Sequence, residues 1–142
     1  MSAPVKSPFT LAIRVPYGHT DQMGFVYYAH YFLYFEMART ELLRAYGVPY
    51  ASLEARDILL PVLEARCTYH RPARYDDRLA VEAGVGEIGP VRFRLTYTVR
   101  RDTDLLAEGY TDHACVSRRG RPQPLDSSLR EVLERIRVGG DS

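Results

Sequence analysis

The fold depends on residues 28–46, which read YAHYFLYFEMARTELLRAY. This segment has no internal proline or glycine, and Gly47 and Pro49 follow it, so it is predicted to form a helix from about Tyr28 to Tyr46. Its first half is apolar or aromatic on nearly every side, whereas charged residues occur in its second half. A helix that is apolar all round must be covered by other structure. The segment therefore predicts a long, buried central helix.

Most of the remaining chain has the pattern of β-strands. Residues 9–15 alternate between apolar and polar side chains, which is the period of a half-buried strand. Four further stretches read as strands and are separated by short turns: Ile58 to Arg71, Arg78 to Gly86, Val91 to Arg101 and Leu105 to Ser117. Short connections predict antiparallel neighbours. We therefore expect an antiparallel sheet of about five strands curled around the helix.

A short helix is predicted at the C-terminal end. It starts at Ser128, where the sequence Ser-Leu-Arg-Glu matches a capping box, and it carries one apolar stripe formed by Leu129, Val132, Leu133 and Ile136. The complete pattern is of the α+β class. The length of 142 residues predicts one domain, residues 1–142, with its core at about 9–137 and loose tails at 1–7 and 138–142.

Composition argues against several classes of protein. The formal net charge of +1 gives no overall field that would attract nucleic acid or a membrane surface, so any anion site must be local. Two cysteines, Cys67 and Cys115, are too few for a disulfide scaffold or a structural zinc site. The four histidines show no metal-ligand spacing, so neither a metal nor another cofactor is expected. With no leader-like segment and no run of about 18 apolar residues, the chain is expected to be cytoplasmic.

Three segments carry a specific resemblance. The longest is Tyr17-Gly18-His19-Thr20-Asp21-Gln22-Met23-Gly24-Phe25-Val26-Tyr27-Tyr28-Ala29-His30-Tyr31, followed by Phe35 to Glu41. The others are Tyr69 to Asp77, and Glu108 to His113 with Gly120 to Pro122. Together they resemble the 4-hydroxybenzoyl-CoA thioesterase and YbgC-like branch of the hotdog superfamily.

This resemblance implies a hotdog fold and an acyl-CoA thioesterase (EC 3.1.2 type) that works without a metal or other cofactor. It also implies a homo-oligomer, either a dimer or a tetramer, with its active site at the subunit interface. The sequence departs from the family at His30, where a small polar residue is usual, and at Gln22-Met23 in the loop. These departures leave the acyl specificity open.

The resemblance also assigns candidate catalytic groups. Asp21 corresponds to the family's catalytic aspartate, either as a nucleophile or as a general base on water. The backbone N–H of Tyr28 is the candidate oxyanion donor, because free N–H groups and the positive end of the helix dipole meet at a helix start. Gly24 lets substrate approach the chain. Tyr27, His30 and Tyr31 are candidates for lining the acyl pocket.

Coenzyme A requires cations for its phosphates. Two arginine clusters can supply them: Arg92 and Arg94 on the polar face of a strand, and Arg118, Arg119 and Arg121 in a later turn. The residues do not select between the clusters.

Each assignment has a structural alternative. An aspartate between a strand and a helix is commonly a turn residue, and tyrosines at helical spacing commonly pack in a core. His113 and Cys115 share a strand face, but we expect both to be buried rather than to form a nucleophilic pair. Two other functions stay open, namely a thioesterase for acyl groups on a carrier protein and a non-catalytic acyl-CoA-binding hotdog protein. A dehydratase is disfavoured because the acid precedes the helix instead of lying on it.

Overall fold

The computed structural model describes residues 9–140, with side chains for residues 9–137. Its elements, in order, are β1 (Phe9–Arg14), α1 (His30–Ala45), α2 (Tyr50–Glu54), β2 (Val62–Tyr69), β3 (Arg78–Ile88), β4 (Arg92–Arg101), β5 (Asp104–Ala114) and α3 (Ser127–Gly140). The tails predicted at residues 1–7 and 141–142 lie outside the described residues. Residues 138–140 were also predicted to be loose, but they belong to α3.

The five strands form one antiparallel sheet in the order β1-β3-β4-β5-β2, which confirms the predicted strand number. The short connections from β3 to β4 and from β4 to β5 join antiparallel neighbours, as predicted. The short connection from β2 to β3 does not, because β2 crosses to the far edge of the sheet and pairs with β5. The alternation of β4 decides which face of the sheet is buried. Phe93, Leu95, Tyr97 and Val99 are buried, whereas the side chains between them form the polar outer face. The sheet therefore has one dry inner face, which holds the core.

The central helix α1 packs on the inner face of the sheet. It buries Tyr31, Tyr34, Phe35, Ala38, Leu42 and Leu43, and the ring of Phe35 stacks on that of Tyr97 with 4.3 Å between centroids. The opposite side of α1 is uncovered in the single chain, where Leu33 and Met37 are 39% and 40% exposed. One sheet of five strands thus covers only part of this helix.

The first helical residue of α1 is His30, so the predicted start at Tyr28 was wrong by two residues. The N–H of His30 donates to the carbonyl of Tyr27, and the N–H of Tyr31 donates to that of Tyr28. These bonds span three residues, and such tight turns are common before an α-helix. Tyr28 therefore lies in a turn that leads into the helix.

The second predicted strand begins late because of Pro61. Leu59 makes an isolated bridge with Val116, but β2 starts only at Val62. Proline has no N–H to donate to a ladder, so Pro61 interrupts the run of strand residues that starts at Ile58. The short helix α2, which follows Pro49, was not predicted.

The C-terminal helix has a different cap from the predicted one. Its apolar stripe is buried as expected. However, α3 begins at Ser127, and the Asp126 carboxylate accepts the N–H of Leu129 at 3.2 Å. The hydroxyl of Ser128 bonds to that same carboxylate, so Asp126, and not Ser128, acts as the N-cap.

Candidate active site

The loop between β1 and α1 folds back on itself and carries Asp21. Thr20 and Val26 form an antiparallel bridge, and the N–H of Asp21 donates to the carbonyl of Phe25 at 2.8 Å. Gly24 closes the turn with a φ of +82°, a conformation that side chains with a Cβ rarely adopt. A Cβ added to Gly24 would meet no atom within 4 Å. In the single chain, the turn backbone therefore explains this glycine better than a close approach does.

The Asp21 carboxylate is held by its own loop. Its Oδ1 accepts the N–H of Met23 at 2.9 Å and that of Phe25 at 3.2 Å. Within the described residues, the second oxygen, Oδ2, has no hydrogen-bond partner. The side chain is half-buried. Asp21 therefore has the role of a turn residue, which was the alternative to a catalytic role. It also has one carboxylate oxygen available to a ligand.

The turn that leads into α1 leaves backbone donors free. The N–H groups of Tyr28 and Ala29 find no acceptor in residues 9–140, because hydrogen bonding along the helix starts with the N–H of His30. Unpaired N–H groups at a helix start, together with the helix dipole, favour negative charge. This turn is therefore suited to receive an oxygen that gains charge.

Asp21 and Tyr28 line the same surface cavity, which has a volume of about 330 Å³. We call it the Asp21 cavity. Its remaining lining residues are mostly apolar or aromatic: Met23, Phe25, Val26, Tyr31, Tyr69, His70, Arg71 and Pro72. A carboxylate, free backbone donors and an apolar wall thus meet at one place.

The end of β2 and the residues after it supply one wall of this cavity, and sequence reasoning assigned them no role. The Tyr69 hydroxyl donates to the Tyr28 carbonyl at 2.9 Å, and burial is the main cause that raises the pKa of Tyr69. His70 lies 3.3 Å from Glu108, and Arg71 lies 3.5 Å from Asp104. The only signal in the sequence was the resemblance of the Tyr69 to Asp77 segment to a thioesterase family.

Comparison with known proteins identifies the family of this chain. The model of the family described as the thioesterase-like superfamily matches residues 15–133. The chain belongs to this superfamily. The prediction of a hotdog-fold thioesterase is thereby confirmed, and the chain is a thioester hydrolase.

Individual relatives of this thioesterase-like chain match over most of its length. An acyl-CoA thioesterase, YbgC of Haemophilus influenzae, is 34% identical over 109 residues, which are 76% of this chain and 80% of the relative. A 1,4-dihydroxy-2-naphthoyl-CoA hydrolase of Synechococcus elongatus is 28% identical over 123 residues, 84% of this chain and 90% of the relative. The crystal structure of a hypothetical protein from Aquifex aeolicus superposes with a TM-score of 0.86 at 33% identity, covering 89% of this chain and 99% of that one.

Of the three residues predicted to line the acyl pocket of this thioesterase, the structure brings only Tyr31 into the Asp21 cavity. Tyr31 is buried, and its hydroxyl accepts the N–H of Ala73 at 3.3 Å. Tyr27 is 45% exposed, and its ring lies 4.8 Å from that of Tyr28. His30 faces elsewhere and stacks on His19 with 4.2 Å between ring centroids.

The stacked pair His19 and His30 joins the loop to the helix. His19 Nδ1 lies 2.9 Å from the Tyr34 hydroxyl, and burial together with the neighbouring His30 lowers the pKa of His19. His30 Nδ1 is buried without a hydrogen-bond partner in the described part of the chain. The pair therefore links the loop to α1, and neither histidine lines the Asp21 cavity.

The predicted coenzyme A arginines lie outside the Asp21 cavity. Arg92 and Arg94 border a separate depression of about 320 Å³ on the outer face of the sheet. Arg94 is bound to Asp112 through contacts of 2.7 and 3.0 Å, and this hydrogen bonding lowers the pKa of Asp112. Its guanidinium also lies over the ring of Tyr110. Much of its charge is therefore already paired.

The second arginine cluster is more accessible. Arg118 and Arg119 are exposed in the turn after β5, and the guanidinium of Arg118 donates to the carbonyl of Glu54 at 2.9 Å. The arginine that does line the Asp21 cavity is Arg71. Which of these side chains meets coenzyme A stays a prediction.

The His113 and Cys115 pair is buried, as expected. His113 is 1% exposed and Cys115 is fully buried, and burial raises the pKa of the Cys115 thiol. Cys67 is half-buried, and burial raises the pKa of its thiol to about 11. Both cysteines are free, and neither thiol is activated as a nucleophile.

No cluster of three or more histidine, cysteine, aspartate or glutamate side chains within residues 9–137 has the arrangement of a metal site. Among the helices of the described chain, none combines the length and the apolar composition needed to cross a bilayer.

Proposed function

We propose that this chain is an acyl-CoA thioesterase in which Asp21 supplies the catalytic carboxylate and the backbone N–H of Tyr28 stabilises the oxyanion. The observation that carries this proposal is that Asp21, with one unbound carboxylate oxygen, and Tyr28, with an unbound N–H, line one cavity. Membership of the thioesterase-like superfamily and relatives named as acyl-CoA hydrolases support the same substrate class.

The thioester carbonyl carbon would lie between these two groups. Its oxygen points to the free N–H of Tyr28, where the backbone donor and the helix dipole stabilise the negative charge of the tetrahedral intermediate. Asp21, or the water that it activates, approaches the carbon from the other side. The carbon–sulfur bond then breaks, and the coenzyme A thiolate leaves and takes up a proton. Overall, one water molecule is consumed, and a carboxylic acid and a thiol are released.

Two routes use the free oxygen of Asp21. As a general base, it removes a proton from the water that attacks the carbonyl carbon. As a nucleophile, it attacks the carbon itself and forms a mixed anhydride that water then cleaves. A single turnover in ¹⁸O-labelled water detects the second route when water opens the anhydride at the Asp21 carboxyl carbon, because only then does label enter the Asp21 side chain.

The phosphates of coenzyme A would remain outside the apolar cavity. Burial of a pyrophosphate without paired cations is too costly, so the nucleotide must extend over arginines at the surface. Arg71 is available at the cavity wall, and the Arg118 and Arg119 turn is available from a neighbouring subunit. The Arg92 and Arg94 face is the weaker candidate because Asp112 already binds Arg94.

We also propose that the active form is a homo-oligomer, either a dimer or a tetramer, with its site at the subunit interface. The supporting observation is uncovered apolar surface. Leu33 and Met37 on α1, and Val62 and Leu63 on β2, are between 39% and 47% exposed. Moreover, β2 is an edge strand on which every residue except Cys67 is exposed. An edge of this kind is suited to pair with another strand.

A panel of acyl thioesters tests the substrate class. Purified protein is assayed with aromatic, short-chain and long-chain acyl groups, each carried by coenzyme A, by pantetheine and by acyl carrier protein, with free thiol as the signal. Hydrolysis that is fastest with the coenzyme A esters supports the proposal. Faster hydrolysis of the carrier-protein esters would show that the substrates are acyl groups on a carrier protein. If no ester released thiol, the chain would be a non-catalytic binding protein. Light scattering near 16.2 kDa for the active enzyme would contradict the oligomer.

A further inference from the structure

Tyr69 connects the edge of the sheet to the turn before the central helix. It is the last residue of β2, and its hydroxyl donates to the carbonyl of Tyr28 at 2.9 Å, across 41 positions of sequence. Its ring meets Tyr31 edge-on with 5.0 Å between centroids, and it meets Tyr28 edge-on at 6.5 Å. Tyr69 also lines the Asp21 cavity. Its ring and its hydroxyl thus hold the same turn from two sides.

The carbonyl that accepts this bond belongs to a peptide group that matters for catalysis. The peptide joining Tyr28 to Ala29 carries the Tyr28 oxygen at one end and the free N–H of Ala29 at the other. The same oxygen accepts the N–H of Tyr31, but at 3.3 Å, so the Tyr69 hydroxyl is the closer partner. Hydrogen bonds polarise one another, so a donor at the carbonyl strengthens the N–H of the same peptide.

The turn has few other restraints. Residues 27–29 precede the regular hydrogen bonding of α1. The N–H of Tyr27 donates to the carbonyl of His19 at 2.9 Å, and the other backbone bonds of this turn span three residues. The N–H groups of Tyr28 and Ala29 are themselves unbound in the described chain. Without Tyr69, only the longer bond from the Tyr31 N–H would hold the carbonyl of the peptide between Tyr28 and Ala29, and the free N–H of Ala29 would be less firmly directed. Preorganised donors are effective in catalysis because they need no reorientation during the reaction.

We propose that Tyr69 is a positioning residue of the oxyanion site, which fixes the peptide between Tyr28 and Ala29 so that the free N–H of Ala29 faces the thioester oxygen beside the N–H of Tyr28. This inference rests on the proposed function of the Asp21 cavity. It makes Ala29 a second backbone donor beside Tyr28. Tyr69 acts through the backbone and takes no proton from the substrate.

The Tyr69→Phe variant isolates the hydroxyl, because the edge-on ring contacts with Tyr28 and Tyr31 remain. Loss of one oxyanion donor typically costs about 10²–10³ in rate. In Tyr69→Phe the donors are still present but less well directed, so the loss of rate should be smaller. We expect kcat to fall about tenfold, with KM unchanged within about twofold because the contacts that bind the rest of the substrate are untouched. Tyr75→Phe is the matched control. Tyr75 is 56% exposed, lies edge-on to Tyr17 at 5.6 Å and does not line the cavity.

A spectroscopic readout separates positioning from a merely structural role. In the slow Asp21→Asn background, an acyl-CoA labelled with ¹³C at the thioester carbonyl is bound, and its infrared stretch is recorded. Adding Tyr69→Phe should move this stretch up toward its value in free solution, because the carbonyl is less polarised. Adding Tyr75→Phe should not move it.

The outcomes are distinct. An unchanged kcat in Tyr69→Phe, an effect confined to KM, or a lower kcat with an unmoved carbonyl stretch would each overturn the role of Tyr69. If the proposed catalytic role of Asp21 is wrong, the result is different: Asp21→Asn releases coenzyme A as fast as the wild type. Wild-type activity that is lost in Asp21→Asn but kept in Tyr69→Phe would reject only the inference about Tyr69.

Discussion

His113 should make the free energy of unfolding depend on pH below neutrality. The imidazole is 1% exposed, with Nδ1 3.0 Å from the carbonyl of Leu60 and Nε2 2.7 Å from the hydroxyl of Thr111. A carbonyl can only accept, so Nδ1 carries the proton, and Nε2 of the neutral ring accepts from Thr111. Burial lowers the pKa of His113 to about 4, and the positive charge of Arg39 acts in the same direction.

The sign and size of the effect follow from this pKa. In the unfolded chain the imidazole titrates near its ordinary value of 6.5. Above that pH both states are neutral, and the contribution of His113 to stability is fully present. As the pH falls from 6.5 toward 4, only the unfolded chain takes up a proton, so the folded state is progressively disfavoured. The difference between the two pKa values corresponds to about 3 kcal/mol.

Urea unfolding of the wild type and of His113→Gln between pH 7 and pH 4 measures this term. The variant should be less stable at pH 7 because the Thr111 and Leu60 contacts are disturbed, but its stability should fall less steeply on acidification, by about 3 kcal/mol over the range. Carboxylates elsewhere affect both proteins equally. Parallel pH profiles, or an NMR midpoint of the folded His113 ring near 6.5, would refute the reasoning.

Three further predictions concern the sheet, the last helix and coenzyme A. Gly109→Ala should lower the free energy of unfolding by about 3 kcal/mol, since the added Cβ would collide with a backbone carbonyl of β2, whereas Gly18→Ala meets open space and should keep the wild-type urea midpoint. Asp126→Ala should cost about 1 kcal/mol through loss of the α3 cap, which a normal urea midpoint would contradict. Replacing Arg118 and Arg119 together by glutamine should raise KM for acyl-CoA with little change in kcat, and an unchanged KM would exclude that turn as the phosphate site.

Much of the fold could be predicted because local pattern and burial agree. The alternation of β4 survives in the structure since one face of that strand contacts the core at Phe93, Leu95 and Tyr97. The bounds of α1 were less predictable, because an aromatic segment has the same composition in a turn and in a helix. The cap of α3 was misassigned because Asp126 and Ser128 are both residue types that cap helices and lie two positions apart, and only the contact of Asp126 with Leu129 distinguishes them.

The part of the candidate site that lies within one loop could be predicted from the sequence. Asp21 and Tyr28 are seven positions apart in one loop, so a motif of that loop contains both. Tyr69 could not be assigned from sequence, because its contact with Tyr28 depends on where β2 ends relative to α1. The contact of His30 was equally unpredictable, since its ring stacks on His19 and it does not line the Asp21 cavity.

The most direct test of the account is the rate of acyl-CoA hydrolysis by Asp21→Asn. The amide oxygen of asparagine can still accept the N–H groups of Met23 and Phe25, so the loop should keep its shape while the carboxylate is lost. We predict that kcat/KM falls by about 10²–10⁴ with unchanged thermal unfolding. The matched variant Asp76→Asn, at an exposed turn with a φ of +67°, should retain wild-type activity. A folded Asp21→Asn enzyme that hydrolyses acyl-CoA at the wild-type rate would contradict the account.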